Sequence, residues 1–199
     1  ADEVNKENTI AIAKGKKDET VKITMETPKS TVLQVYTAYM PVDTKTEVAL
    51  EVANYVLDMI YTKTIREEEG GTYGVGTAMV GQREPEERVI IQVSFDTNPE
   101  QAPKLRELAI KGLKELAENG PELDKFNMAI ENFKKNIPET RLNNSYWMSN
   151  ISQYYDYGID YDAEYEAAVN SVTPEDVKAV LQAVLAQNNL IEITSAPKE

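Results

Sequence analysis

The chain has no histidine and no cysteine among its 199 residues. Without cysteine there is neither a disulfide nor a thiolate metal site. Without histidine there is no histidine-bound zinc, no Ser-His-Asp triad and no Cys-His pair. Basic residues are also short, 21 against 34 acids, for a formal charge of −13. That balance repels nucleic acid and anionic membranes, and no basic block offsets it. No apolar run approaches the length that spans a bilayer.

What remains is enough for a core. Hydrophobic residues make up 41% of the chain, and this length suits one large domain or two very small ones. The first 20 residues are polar apart from Thr9–Ala13 and read as a linker or a loosely held strand. Val21, Ile23 and Met25 alternate with polar neighbours, a half-buried strand pattern. Thr31–Met40 is rich in β-formers and predicts a strand buried on both faces for part of its length. Thr44 and Glu47 have capping-box spacing, and Val48, Val52, Val56 and Ile60 recur every four residues behind them. They predict a helix of about six turns, running towards Arg66 and stopped by Gly70-Gly71.

Thr72–Val80 and Val89–Asp96 read as a hairpin around a charged loop. Helices follow: one capped by Asn98 with Pro99 in its first turn, one from Leu123 to a break at Pro138, and an aromatic one over Arg141–Tyr157. A short helix spans Asp160–Asn170, and another is capped by Thr173 ahead of Pro174. A last strand holds Leu190, Ile191 and Ile193. Hairpin strands followed by a helical block predict an α+β fold, one largely antiparallel (mixed) sheet with helices packed on one face.

Most candidate sites give way to simpler readings. Glu67, Glu68 and Glu69 are consecutive, so on a helix they diverge and read as a solvated helix end. Asp156, Asp160 and Asp162 lack EF-hand spacing. Gly70–Gly76 lacks the Gly-Lys-Ser/Thr ending of a phosphate loop and precedes a strand. The aromatics from Tyr146 to Tyr157 read as core or a domain interface rather than a binding platform. Arg66 and Tyr73 remain. They read either as a helix-end arginine paired with a nearby acid and a core tyrosine, or as two donors to a peptide carbonyl. In the second reading they could stabilise charge on a tetrahedral intermediate. They could not make the nucleophile.

Arg66-Glu67-Glu68-Glu69-Gly70-Gly71-Thr72-Tyr73-Gly74-Val75, after a long amphipathic helix, resembles the C-terminal-half signature of the pitrilysin/insulinase family of zinc peptidases, the inverted zincins, relatives of the mitochondrial processing peptidase. Val169–Val177 resembles a helix start near the end of such domains. The resemblance covers roughly residues 20 to 195. It implies a metallohydrolase-like half domain, with residues 1–20 a linker or loosely ordered segment and 21–199 one C-terminal α+β domain. It implies that Arg66 and Tyr73 are auxiliary catalytic and substrate-binding residues, reaching across a chamber between two clamshell halves. Zinc and the activating glutamate are expected in an N-terminal zinc-bearing domain of the same parent chain or in a partner subunit, because this chain lacks His-x-x-Glu-His. The implied function is a substrate-binding, transition-state-assisting part of a zinc metalloendopeptidase acting on peptides, in a bacterial periplasm or envelope by family habit. The alternatives are a non-catalytic scaffold or assembly subunit of the same fold, and a peptide-binding module using a free sheet edge. The 199-residue chain alone is expected to leave a quenched-fluorescent peptide uncleaved with or without added zinc, and zinc-dependent cleavage by it would overturn this assignment.

Overall fold

The computed structural model describes residues 11–198, so the expected linker character of residues 1–10 lies outside the described residues. The strands are β1 (Lys16–Ile23), β2 (Ser30–Tyr39), β3 (Gly76–Gln82), β4 (Arg88–Thr97) and β5 (Leu190–Pro197). They form one sheet in the order β1-β5-β2-β4-β3. β1 runs parallel to β5, and the other neighbours are antiparallel. The helices are α1 (Thr44–Tyr61), α2 (Ala102–Asn119), α3 (Leu123–Thr140), α4 (Asn144–Tyr157), α5 (Tyr161–Ser171) and α6 (Pro174–Ala186). The fold is α+β with a mixed sheet, as the hydrophobic pattern predicts.

Several local expectations are corrected. The first strand starts at Lys16 rather than Val21, so residues 16–20 follow the strand alternative and not the linker one. β2 is not buried on both faces. Ser30, Val32, Gln34, Tyr36 and Ala38 are buried, while Thr31, Leu33, Val35, Thr37 and Tyr39 are only half-buried. Helices therefore cover one face and leave the other partly open. The cap of α1 is Asp43, whose carboxylate accepts from the Thr46 amide at 2.7 Å. The Asn98 carbonyl accepts from the Gln101 and Ala102 amides in a turn, which moves the start of α2 to Ala102. α3 runs through Pro138 to Thr140. Proline costs a helix one amide donor and crowds the preceding turn, and here only the last few residues lie beyond it. α4 is not core: Asn150 is its one buried residue, and Trp147, Met148, Ile151, Tyr154 and Tyr155 are exposed. Thr173 caps α6 as expected, and it does so in a capping box with Asp176 as the reciprocal partner.

The core lies between the sheet and the helical layer. α1 buries Val48, Ala49, Leu50, Val52, Ala53, Val56, Leu57 and Tyr61 against it. Fully burying one Val or Leu is worth about 1.5–3 kcal/mol, so this stripe outweighs any surface ion pair. One charge is also buried there. Glu192 of β5 is fully buried, paired with Lys16 at 2.8 Å and Arg106 at 3.3 Å. It also accepts from the Gln34 amide at 3.0 Å. Arg106 grips Asp18 through two further bonds, at 2.9 and 2.6 Å, which hold the Asp18 carboxyl below its ordinary range. A buried carboxylate needs such pairing, and here the pairing staples β1, β5 and β2 to α2.

Where α1 crosses α2, a Cβ on Gly112 would meet the Tyr61 ring at 2.7 Å. Tyr61 cannot retreat, because it is fully buried and its hydroxyl donates to the Ala109 carbonyl at 2.6 Å. Gly112→Ala gains about 1 kcal/mol of helix propensity but overpacks a rigid contact at about 1–3 kcal/mol. The expected net is a loss of up to about 2 kcal/mol, read as a lower midpoint in urea unfolding.

Candidate functional site at the Gly-Gly turn

The helical run does not stop at Tyr61. It continues as a π-helix over Thr62–Glu67, with Arg66 in its last turn. A single α-helix reaching Arg66 is thus corrected in its final part. The local cause is legible. The Thr64 hydroxyl donates to the Ile60 carbonyl at 2.9 Å, the acceptor an α-helical Thr64 amide would use. The Glu68 amide instead reaches back to the Lys63 carbonyl at 3.0 Å. Ile65 stays fully buried, so the widened turn remains fastened while Arg66 is exposed. Such segments are rare and frequent at functional sites.

Gly70 then takes φ +60°, a left-handed conformation that glycine adopts without steric cost. Gly71 lies where a Cβ would meet the Leu105 side chain at 2.7 Å and the Gln101 side chain at 2.9 Å, so a larger residue there would have to displace them. The Thr97 hydroxyl donates to the Gly71 carbonyl at 2.6 Å, and Glu69 pairs with Lys104 of α2. Next, the Thr72 hydroxyl donates to the Gly74 carbonyl at 2.9 Å and accepts from the Gly74 amide at 3.2 Å. Tyr73 sits between those two residues and projects outward, at 101% relative exposure. β3 begins only at Gly76, so Thr72–Val75 is turn rather than the expected strand.

Both predicted residues therefore lie on one anchored connection, Arg66 at its helical end and Tyr73 past its glycines. Neither side chain has an ion pair or hydrogen bond among the described residues. The alternative of a core tyrosine and a paired arginine does not describe them. Two exposed donors on a braced turn can bind an oxygen of another molecule. They cannot activate water, since neither is a base at neutral pH.

Sequence reasoning missed the anchors. Thr97, Gln101 and Leu105 are a hairpin and a turn away from Gly71 along the chain, and no spacing rule links them to it. The π-helical segment was missed as well; its one signal is Thr62 and Thr64, poor helix formers close together. Among the described residues no three metal-ligating side chains converge, and Glu67–Glu69 stay a helix end.

With the geometry in hand, comparison with known proteins adds three findings. The family model described as peptidase M16 inactive domain matches residues 4–133. A search of curated proteins by sequence finds no match. Among solved structures, the periplasmic protease PqqL from Escherichia coli superposes with a TM-score of 0.81 at 20% identity, covering 94% of this chain and 21% of that one. A peptidase M16 inactive domain from Pseudomonas fluorescens gives 0.77 at 16% identity, covering 95% and 45%. An inactive peptidase domain from Bordetella parapertussis gives 0.67 at 17% identity, covering 89% and 95%. The chain thus spans 21% of the length of PqqL.

Thr97→Val keeps the shape and removes the bond to the Gly71 carbonyl. The expected cost is about 1–3 kcal/mol for the stranded acceptor. Amide exchange at Gly71–Gly74 should quicken more than exchange in β2. Unchanged exchange there would show that the turn is held by other means.

Proposed function

This chain belongs to the peptidase M16 inactive-domain family, and from that premise we propose that it is the substrate-holding, transition-state-assisting domain of a metallopeptidase. The chain from Lys16 onward acts as one C-terminal domain. The metal, expected to be zinc, and the attacking water belong to a companion domain of the same parent or to a partner subunit. The supporting observation is the pair of donors without partners among the described residues on the braced turn, in a chain that has no histidine or cysteine. Arg66 holds a substrate carbonyl oxygen with its guanidinium fork. Tyr73 donates its phenolic proton in a hydrogen bond to the oxygen that becomes negative as the tetrahedral intermediate forms. A donor aimed at developing charge lowers the barrier more than it tightens ground-state binding.

A second reading, a non-catalytic assembly subunit, has its own support. The exposed face of α4 carries Trp147, Tyr154 and Tyr155, residue types that concentrate at protein interfaces. It gives Arg66 and Tyr73 no part to play.

The test is Arg66→Ala and Tyr73→Phe in the full parent with its companion present. Loss of one such donor costs on the order of 100-fold in kcat, and metal content should stay at the wild-type level. Wild-type turnover in both variants would sink the catalytic reading and leave the assembly one.

A further inference from the structure

A second cleft lies in the helical layer, away from the Gly-Gly turn. It has a volume of about 380 Å³ and is floored by α1 and walled by α3, α4 and α5. Its lining includes Glu51, Phe133, Asn136, Tyr146, Tyr161 and Tyr165. Glu51 is its one charged group, and no lysine or arginine lines it. The Tyr165 hydroxyl donates to one Glu51 oxygen at 2.7 Å, which fixes the carboxylate and leaves its other oxygen without a partner among the described residues. Of the nearby basic residues, Arg83 and Arg141 are committed elsewhere, and Lys134 and Lys135 of α3 are exposed and do not line the cleft. Arg83 pairs with Glu47 at 2.9 Å, and Arg141 pairs with Asp162 at 2.8 Å and Glu166 at 2.7 Å.

Around this carboxylate stand aromatic rings. Tyr161 and Tyr165 lie 5.7 Å apart, tilted by 32°. Phe133 forms the side towards Tyr55, in an edge contact at 6.1 Å. Burial raises the Glu51 pKa, opposed by the Tyr165 bond. It also raises the phenols of Tyr161 and Tyr165, which stay neutral. The rings are therefore uncharged and stand around one carboxylate.

Ring faces attract cations, and a half-buried carboxylate with no counter-ion among the described residues attracts them more. An anion is repelled here, and a purely apolar occupant would leave the charge buried and uncompensated. We infer that the Glu51 cleft binds an organic cation, an alkylammonium or guanidinium head on an apolar stem, as carried by a lysine or arginine side chain or by a small free amine. The volume suits a ligand of that size. The inference does not depend on the role of Arg66 and Tyr73.

The full 199-residue chain would be titrated with N-acetyl-lysine methylamide, the arginine analogue, the neutral norleucine analogue and n-butylammonium. Tyrosine ring shifts in NMR report occupancy, and calorimetry gives Kd. The lysine or arginine amide should bind at least about tenfold tighter than the norleucine amide, a difference of about 1.4 kcal/mol. Glu51→Gln should lose about tenfold for the cations and little for norleucine. Should Glu51→Gln melt early, Tyr161→Leu decides, since loss of one ring face should weaken cations several-fold while a folded carboxylate remains. Butylammonium matching the amides indicates a free amine as ligand; amides alone binding indicates a peptide side chain. Norleucine binding as tightly as lysine, or no saturable shift in the folded wild type, would overturn the inference.

Discussion

Burial of α1 against the sheet is the constraint on which the rest of the molecule depends. Its apolar stripe runs from Val48 to Tyr61 and on to Ile65 in the π-helical segment, all fully buried or nearly so. Because that stripe is fixed, both ends of the helical run are fixed. Arg66 is the residue after Ile65 and inherits its rigidity. Glu51 lies on the same helix, one residue before Val52 of the stripe, and reaches the flank that α3 and α5 close. Two chemically different sites therefore take their positions from one packing interaction. Surface pairs such as Lys104 with Glu69 only trim the outcome, since exposed ion pairs contribute about 0–1 kcal/mol.

Much of this was legible in the sequence, for a physical reason. Amphipathic periodicity reports burial on one side, so α1, α6 and the β3–β4 hairpin could be read directly. The cap at Thr173 was read because it is a local contact, made with the Asp176 amide, and local contacts leave local signatures. What failed was whatever depends on a distant partner or a small difference in backbone energy. Nothing near Lys16–Thr20 says that this exposed run pairs with β5, because its pairing partner and its buried counter-charge, Glu192, arrive at the far end of the chain. The aromatics of α4 fit a core by composition, yet α3 and α5 leave them uncovered. Asp43 and Thr44 are both able caps, and the choice between them turns on backbone geometry that spacing does not encode.

The candidate turn divides the same way. The pattern from Arg66 to Val75 pointed to Arg66 and Tyr73 as a pair of donors, and the lack of histidine pointed to a missing half. Their solvent exposure and their freedom from internal partners could not be read from residue types, since an arginine near three glutamates invites an ion pair. The geometry instead commits Glu69 to Lys104 and leaves the guanidinium unclaimed among the described residues. Rigidity supplied by Thr97, Leu105 and the glycines is what a donor needs in order to act on transient charge, because a mobile donor loses in entropy what it gains in electrostatics.

The strand order carries a consequence for how the chain comes into being. β5 lies between β1 and β2, so the first two strands never touch and the last one made must enter between them. During synthesis β2 can pair at once with β4 on one side, while its other edge waits open until Leu190–Thr194 emerges. β1 has no partner in the sheet until that moment. Assembly thus ends with a strand inserting and an earlier one closing over it, a late step of long sequence separation. An unpaired edge invites the wrong strand, and the lysines and acids of Lys16–Lys22 give the waiting segment a charged, poorly cohesive surface during that interval.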